Sequence, residues 1–115
     1  MSTASPSLSI EALWDELWIS LVSLLRSYAA AHGLSATRQP EVEVTGNRIV
    51  VRHHRHWLEL DRVGAKISWR REDGRRGLLE LTESGRLRGD SGDEEMDMAA
   101  EAWARDLVKF SEASR

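Results

Sequence analysis

The chain changes hydrophobic period twice, and that change limits its fold more than any single motif. From Ser7 to His32 apolar residues recur at helical spacing. From Glu41 to Arg88 they alternate at period two between glycine-bearing breaks. After Ser91 helical spacing returns. A stretch patterned for one period does not settle into the other, so the order is helix, strands, helix.

In the first helix Leu13, Trp14, Leu17, Trp18, Leu21, Leu24, Leu25 and Tyr28 share one sector. Ser7 or Ser9 is expected as its N-cap, and Gly33 as a left-handed stop with Leu34 closing a Schellman contact. Ile19 lies opposite the apolar stripe.

In the strands, Glu41–Val44 and Arg48–Arg52 flank Gly46-Asn47, a hairpin signal. Ile49 and Val51 then occupy odd positions, whereas Leu58 and Leu60 occupy even ones. One unbroken strand would put these pairs on opposite faces, so a turn or bulge is expected at His53-His54-Arg55-His56. Trp57–Arg62 leads to Gly64, Lys66–Glu72 to Asp73-Gly74, and Arg76–Thr82 to Ser84-Gly85. Arg86–Arg88 follows as a short edge strand. Connections this short imply an antiparallel meander.

Ser91-Gly92-Asp93-Glu94 reads as a capping box opening a second helix, with Met96, Ala99, Ala100, Trp103, Leu107 and Phe110 on one face. The expected fold class is α+β: an N-terminal helix, a five- or six-stranded antiparallel meander and a C-terminal helix, with both helices on one sheet face. Its 115 residues suit a single domain, with residues 1–6 as a flexible tail.

Composition narrows the function classes. With no cysteine, disulfide scaffolds, zinc ribbons, iron–sulfur ligation and thiol nucleophiles are excluded. No apolar run reaches the roughly 20 residues of a membrane span, and a cytoplasmic location without membrane insertion is the expectation. The net charge of −3 conceals three unlike parts: −1 over residues 1–40, +3 over 41–88 and −5 over 89–115. Fourteen of the sixteen basic residues are arginine, and five tryptophans accompany one tyrosine and one phenylalanine.

The order of elements, at this length, resembles the frataxin-like fold. Asp15-Glu16-Leu17-Trp18 is similar to a turn of the first helix in the bacterial branch. Trp69, Gly74 and Leu78–Leu81 look like the family's marked tryptophan strand and the strand after it, and Trp103 resembles the final helix. The family's Asn-x-Gln-x-Pro segment is absent, with Leu60-Asp61-Arg62-Val63-Gly64 in its place. The acidic ridge that implies iron handling is reduced to Glu11, Asp15, Glu16, Glu41 and Glu43, with Ser20, Ser23, Arg26 and Ser27 between. The segment Leu21–Gly33, with Arg26 and Tyr28, resembles a non-iron branch that serves as a peripheral subunit of some bacterial respiratory complex I enzymes.

Three constellations carry chemistry. His53, His54 and His56 can hold zinc, nickel or copper if a turn makes them converge; a regular strand puts His53 on the opposite face from the other two, and Arg52 and Arg55 interleave. A solvated turn is the preferred reading. From Thr45 to Arg76, nine basic residues face four acids, with Trp57 and Trp69 interleaved. Such a surface can hold single-stranded nucleic acid, but the acidic remainder disfavours it, and Arg70, Arg71, Arg75 and Arg76, flanking a hairpin, could instead meet an acidic protein partner. The acidic run from Asp90 fails the spacing of a calcium loop, because Gly92 and Glu95 stand where a ligand and a glycine are needed. No phosphate loop, nucleophile elbow or cofactor motif is present, so no enzyme activity is expected. A protein partner is expected to dock on the open sheet face through Arg52, Trp57, Trp69, Arg70 and Arg71, since Arg and Trp dominate interface hot spots. Metal binding, by iron as in frataxins or by a transition metal at His53, His54 and His56, is the alternative; single-stranded nucleic acid is the third.

Overall fold

The computed structural model describes residues 6–34 and 36–113; of the expected N-terminal tail, residues 1–5 lie outside them. Helix α1 (Pro6–Gly33) leads to strands β1 (Glu41–Thr45), β2 (Arg48–His53), β3 (His56–Val63), β4 (Lys66–Arg71), β5 (Arg76–Leu81), β6 (Arg86–Gly89) and β7 (Gly92–Glu95), then to helix α2 (Met96–Ala113). The strands form one sheet in chain order, each antiparallel to the next. No helix among the described residues is long and apolar enough to cross a membrane.

The chain turns where side-chain parity places the turn. His53 pairs with His56, so a two-residue turn at His54-Arg55 reverses the chain and returns Leu58 and Leu60 to the face of Val51 and Ile49. His54 adopts φ 57°, a left-handed conformation that histidine tolerates better than most side chains. Gly46 supplies the same sign of φ between β1 and β2.

Both helices cover one face. Trp18, Leu21 and Leu25 of α1 and Met96, Ala99, Ala100 and Leu107 of α2 pack on Ile49, Val51, Leu58, Leu60, Ile67, Leu81 and Leu87. Tyr28 donates to Asp97 (2.7 Å) and His32 bonds Glu101 (2.9 Å). Partner numbers rise together along the two helices, so they run parallel.

The structure departs from the expected fold at several points. The sheet has seven strands, because Gly92–Glu95 is an edge strand and not a capping box, and α2 starts at Met96. Asp93 and Glu95 lie opposite Arg88 and Arg86 and pair with them at 2.9 and 3.2 Å, an option a sequence window centred on the acids does not display. The strand at Arg86 is therefore interior. At its N-terminus α1 starts at Pro6, upstream of both proposed caps, a residue whose fixed φ suits the first helical position.

Gly33 closes α1 without a left-handed φ, and Leu34 is 81% exposed, so no Schellman contact forms. Glycine is needed there because a Cβ would lie 2.5 Å from Pro40 Cδ. Finally, α2 buries Met96, Ala99, Ala100 and Leu107 as expected, but its buried face extends to Ala104, Val108 and Ser111, and Phe110 is half exposed.

Candidate functional site

Strand parity assigns every side chain of the sheet to a face, and the face without helices has its own order. Across it run cross-strand rows: Glu41, Arg52 and Trp57; then Glu43, Val50, Glu59, Arg70 and Arg76; then Thr45, Arg48, Asp61, Ser68 and Leu78; then Lys66, Glu80, Arg88 and Asp93. Opposite charges meet along and between these rows. Arg48 binds Asp61 at 2.7 Å and Glu59 at 3.7 Å, Arg70 binds Glu59 at 2.9 Å, and Arg52 reaches Glu43 at 3.7 Å. Burial pushes the Asp61 carboxyl up, but the hydrogen bond from Arg48 and the charges of Arg48 and Arg70 outweigh it, and the group titrates below the ordinary aspartate value.

The aromatic element of this face is Trp57, half-buried, with the Arg70 guanidinium 5.9 Å from its ring centroid. Beside it a groove of about 520 Å³ is lined by Asp61, Ser68, Trp69, Arg70, Arg76, Gly77 and Leu78. Its floor follows from residue size: Ser68 is the small member of its row, between Asp61 and Leu78.

The five proposed docking residues are divided between the two faces. Arg52, Trp57 and Arg70 stand together on the uncovered face. Trp69 pairs with Leu60 and Gly77, and Arg71 with Leu58, so both are on the helix side. The Trp69 indole lies across Gly77, where a Cβ would come within 2.6 Å of Nε1. The parity that located the β2–β3 turn carries this information too: Trp69 and Arg71 share odd numbering with Ile67, an evident core residue. Arg76 carries a sequence signal as part of the basic hairpin, whereas nothing local distinguishes Ser68 and Leu78 from any other solvated strand position.

The three histidines do not converge on one point. His53 is fully buried, with Nδ1 on Ser111 Oγ and Nε2 donating to the Arg38 carbonyl at 2.7 Å. Its ring lies edge-on to that of exposed His54, which reaches Thr37 Oγ1 at 3.4 Å. His56 turns to Glu72 at 2.7 Å, and the other Glu72 oxygen accepts the Trp57 backbone N–H at 3.0 Å. Burial raises the Glu72 pKa, but these two hydrogen bonds and the His56 charge bring it below the ordinary value. Among the described residues no group of three or more His, Asp or Glu is arranged to hold a metal ion.

A second polar cluster has a structural role. Arg62, buried at the end of the apolar run Leu58-Leu60, donates to Asp15 (2.6 Å), Asn47 Oδ1 (2.8 Å) and the Gly64 carbonyl (3.0 Å), with its guanidinium 5.6 Å from the Trp18 ring. Trp18 Nε1 donates to the Gly46 carbonyl at 3.1 Å. Trp18 thus fastens α1 to the β1–β2 turn directly, and Asp15 does so through Arg62 of β3, which also holds Asn47. No family model, curated protein or solved structure matches this chain.

Proposed function

We propose that this protein is a non-catalytic accessory or interaction module of frataxin-like architecture that docks a protein partner through the uncovered face of its sheet. The frataxin-like reading draws its support from the element order, helix, antiparallel meander and helix. The docking reading is carried by one observation: Arg70 stacked on Trp57 within a lattice of ion pairs, on the face opposite both helices. An arginine already held by an acid and an aromatic ring loses little side-chain freedom on association, which lowers the cost of binding. Arg52, Trp57 and Arg70 are the docking set, and Arg71, on the other face and outside the groove, is its internal control.

The test is site-specific photo-crosslinking in the native host. A benzophenone side chain at Ser68 is expected to give a discrete adduct that disappears in an Arg52→Glu/Arg70→Glu variant with unchanged circular dichroism. The same probe at Ile19, 64% exposed on the helix layer, is expected to give none. A Ser68 adduct that persists in the double variant, an identical adduct from Ile19, or none from Ser68 overturns the reading.

A further inference from the structure

The groove on the uncovered face has an unbalanced charge, and that imbalance specifies an occupant. Arg70 and Arg76 stand directly opposite each other on β4 and β5. Like charges so placed, with Cβ atoms about 5 Å apart, destabilise a strand pair. Only one side is compensated: Glu59 binds Arg70 and is shared with Arg48. Arg76 has no ion pair among the described residues. Two residues further along the same strand, and on the same face, Leu78 is 74% exposed against the floor made by Ser68. The lining therefore presents an unneutralised guanidinium and an exposed aliphatic wall at a fixed separation of two strand residues, about 7 Å.

Building on the docking reading, we propose that this groove takes an extended acidic segment of the partner. In that segment a carboxylate and an aliphatic side chain stand two residues apart, the carboxylate bridging Arg76 and Arg70 and the aliphatic chain lying on Leu78. An extended chain repeats its side-chain direction every second residue, so an Asp-x-Leu or Glu-x-Leu pattern matches the Arg76-x-Leu78 spacing. One added carboxylate converts the repulsive pair into a bridge. A nucleic-acid strand fits less well, because Glu59 and Asp61 in the same patch repel a continuous polyanion.

The experiment is an amide chemical-shift titration of the isotopically labelled chain with short capped peptides. A Ser-Asp-Ser-Leu-Ser peptide is expected to shift Ser68, Arg70 and Arg76–Leu78. It should bind about fivefold more tightly than either its Lys-for-Asp counterpart or the isomer with Asp and Leu adjacent. Arg76→Gln, an exposed substitution, should remove that preference while leaving the spectrum dispersed. Equal binding of the lysine peptide, shifts located elsewhere, no shifts at all, or tighter binding of an oligothymidylate at the same amides overturns the proposal. The two readings can fail separately. A Ser68 photo-adduct with no response to the acidic peptide leaves the docking face standing and removes the acidic segment. A wild-type chain that gives no adduct removes the docking face itself.

Discussion

On the helix-covered face Ile49, Val51, Leu58, Leu60 and Ile67 are fully buried, whereas their immediate neighbours Val50, Arg52, Trp57, Glu59, Asp61 and Ser68 stand on a face that no helix covers. Both faces are built from the same strands and share every backbone hydrogen bond. They differ in what a side chain meets. On the covered face burial of apolar area dominates, at about 25 cal/mol per Å². On the other, partly solvated ion pairs contribute only about 0–1 kcal/mol each. Stability therefore concentrates on one side of the sheet, and the other side is free to carry charge and an aromatic ring.

The most forceful way to break this comparison is to truncate one leucine on each face. Leu60→Ala removes a fully buried side chain and is expected to cost about 2–5 kcal/mol in urea unfolding, whereas Leu78→Ala should stay within about 0.5 kcal/mol. Comparable losses would show that the uncovered face is also part of the core. Next comes Arg62, a buried polar member of the covered face. Arg62→Ala forfeits bonds to Asp15, Asn47 and Gly64 and its packing on Trp18, and should cost about 2–3 kcal/mol. Asp15→Asn, on an exposed partner, should cost less than about 1 kcal/mol.

A smaller effect sharpens the assignment of Trp69 to the helix side. Gly77 lacks a positive φ, so its backbone accepts alanine, but the new Cβ meets the indole. Gly77→Ala should cost about 1–3 kcal/mol and shift tryptophan emission, and the shift should be absent in a Trp69→Phe background. Smallest is the acid limb of the stability curve. The Glu72 pKa is depressed in the folded chain, so its contribution is complete above the ordinary glutamate value of 4.5 and is lost as pH falls through the lower folded value. Glu72→Gln should flatten that limb, which thermal melts between neutral pH and about pH 3 can read.

The meander was legible because period two is unforgiving. A change from odd to even apolar positions between Val51 and Leu58 admits only a turn or a bulge, and the turn falls at His54-Arg55. Strand β7 was illegible for the opposite reason. Gly-Asp-Glu-Glu has no apolar member and no alternation, and its identity as a strand rests on Arg86 and Arg88, which reach it only across the sheet. The proposed docking residues fall between these cases. Their residue types are plain in the sequence, but separating Arg52, Trp57 and Arg70 from Trp69 and Arg71 takes the same parity test that places the turn. The buried roles of His53 and Arg62 follow from the same rule, each continuing the parity of an apolar run. The groove depends on three strands brought side by side, and no linear pattern encodes it.

The two rims of the sheet have a consequence for life at high concentration. An unpaired rim is a template on which a second chain can add its own strand and begin a fibre. Here β1 carries Glu41 and Glu43, and β7 is all exposed, with Asp93, Glu94 and Glu95 in its four residues. Copies meeting rim to rim bring acidic strands against each other, and Glu41 and Glu94 have no ion pair among the described residues to offset the repulsion. The acidic run that resembles a helix cap thus disfavours addition of a second chain at that rim.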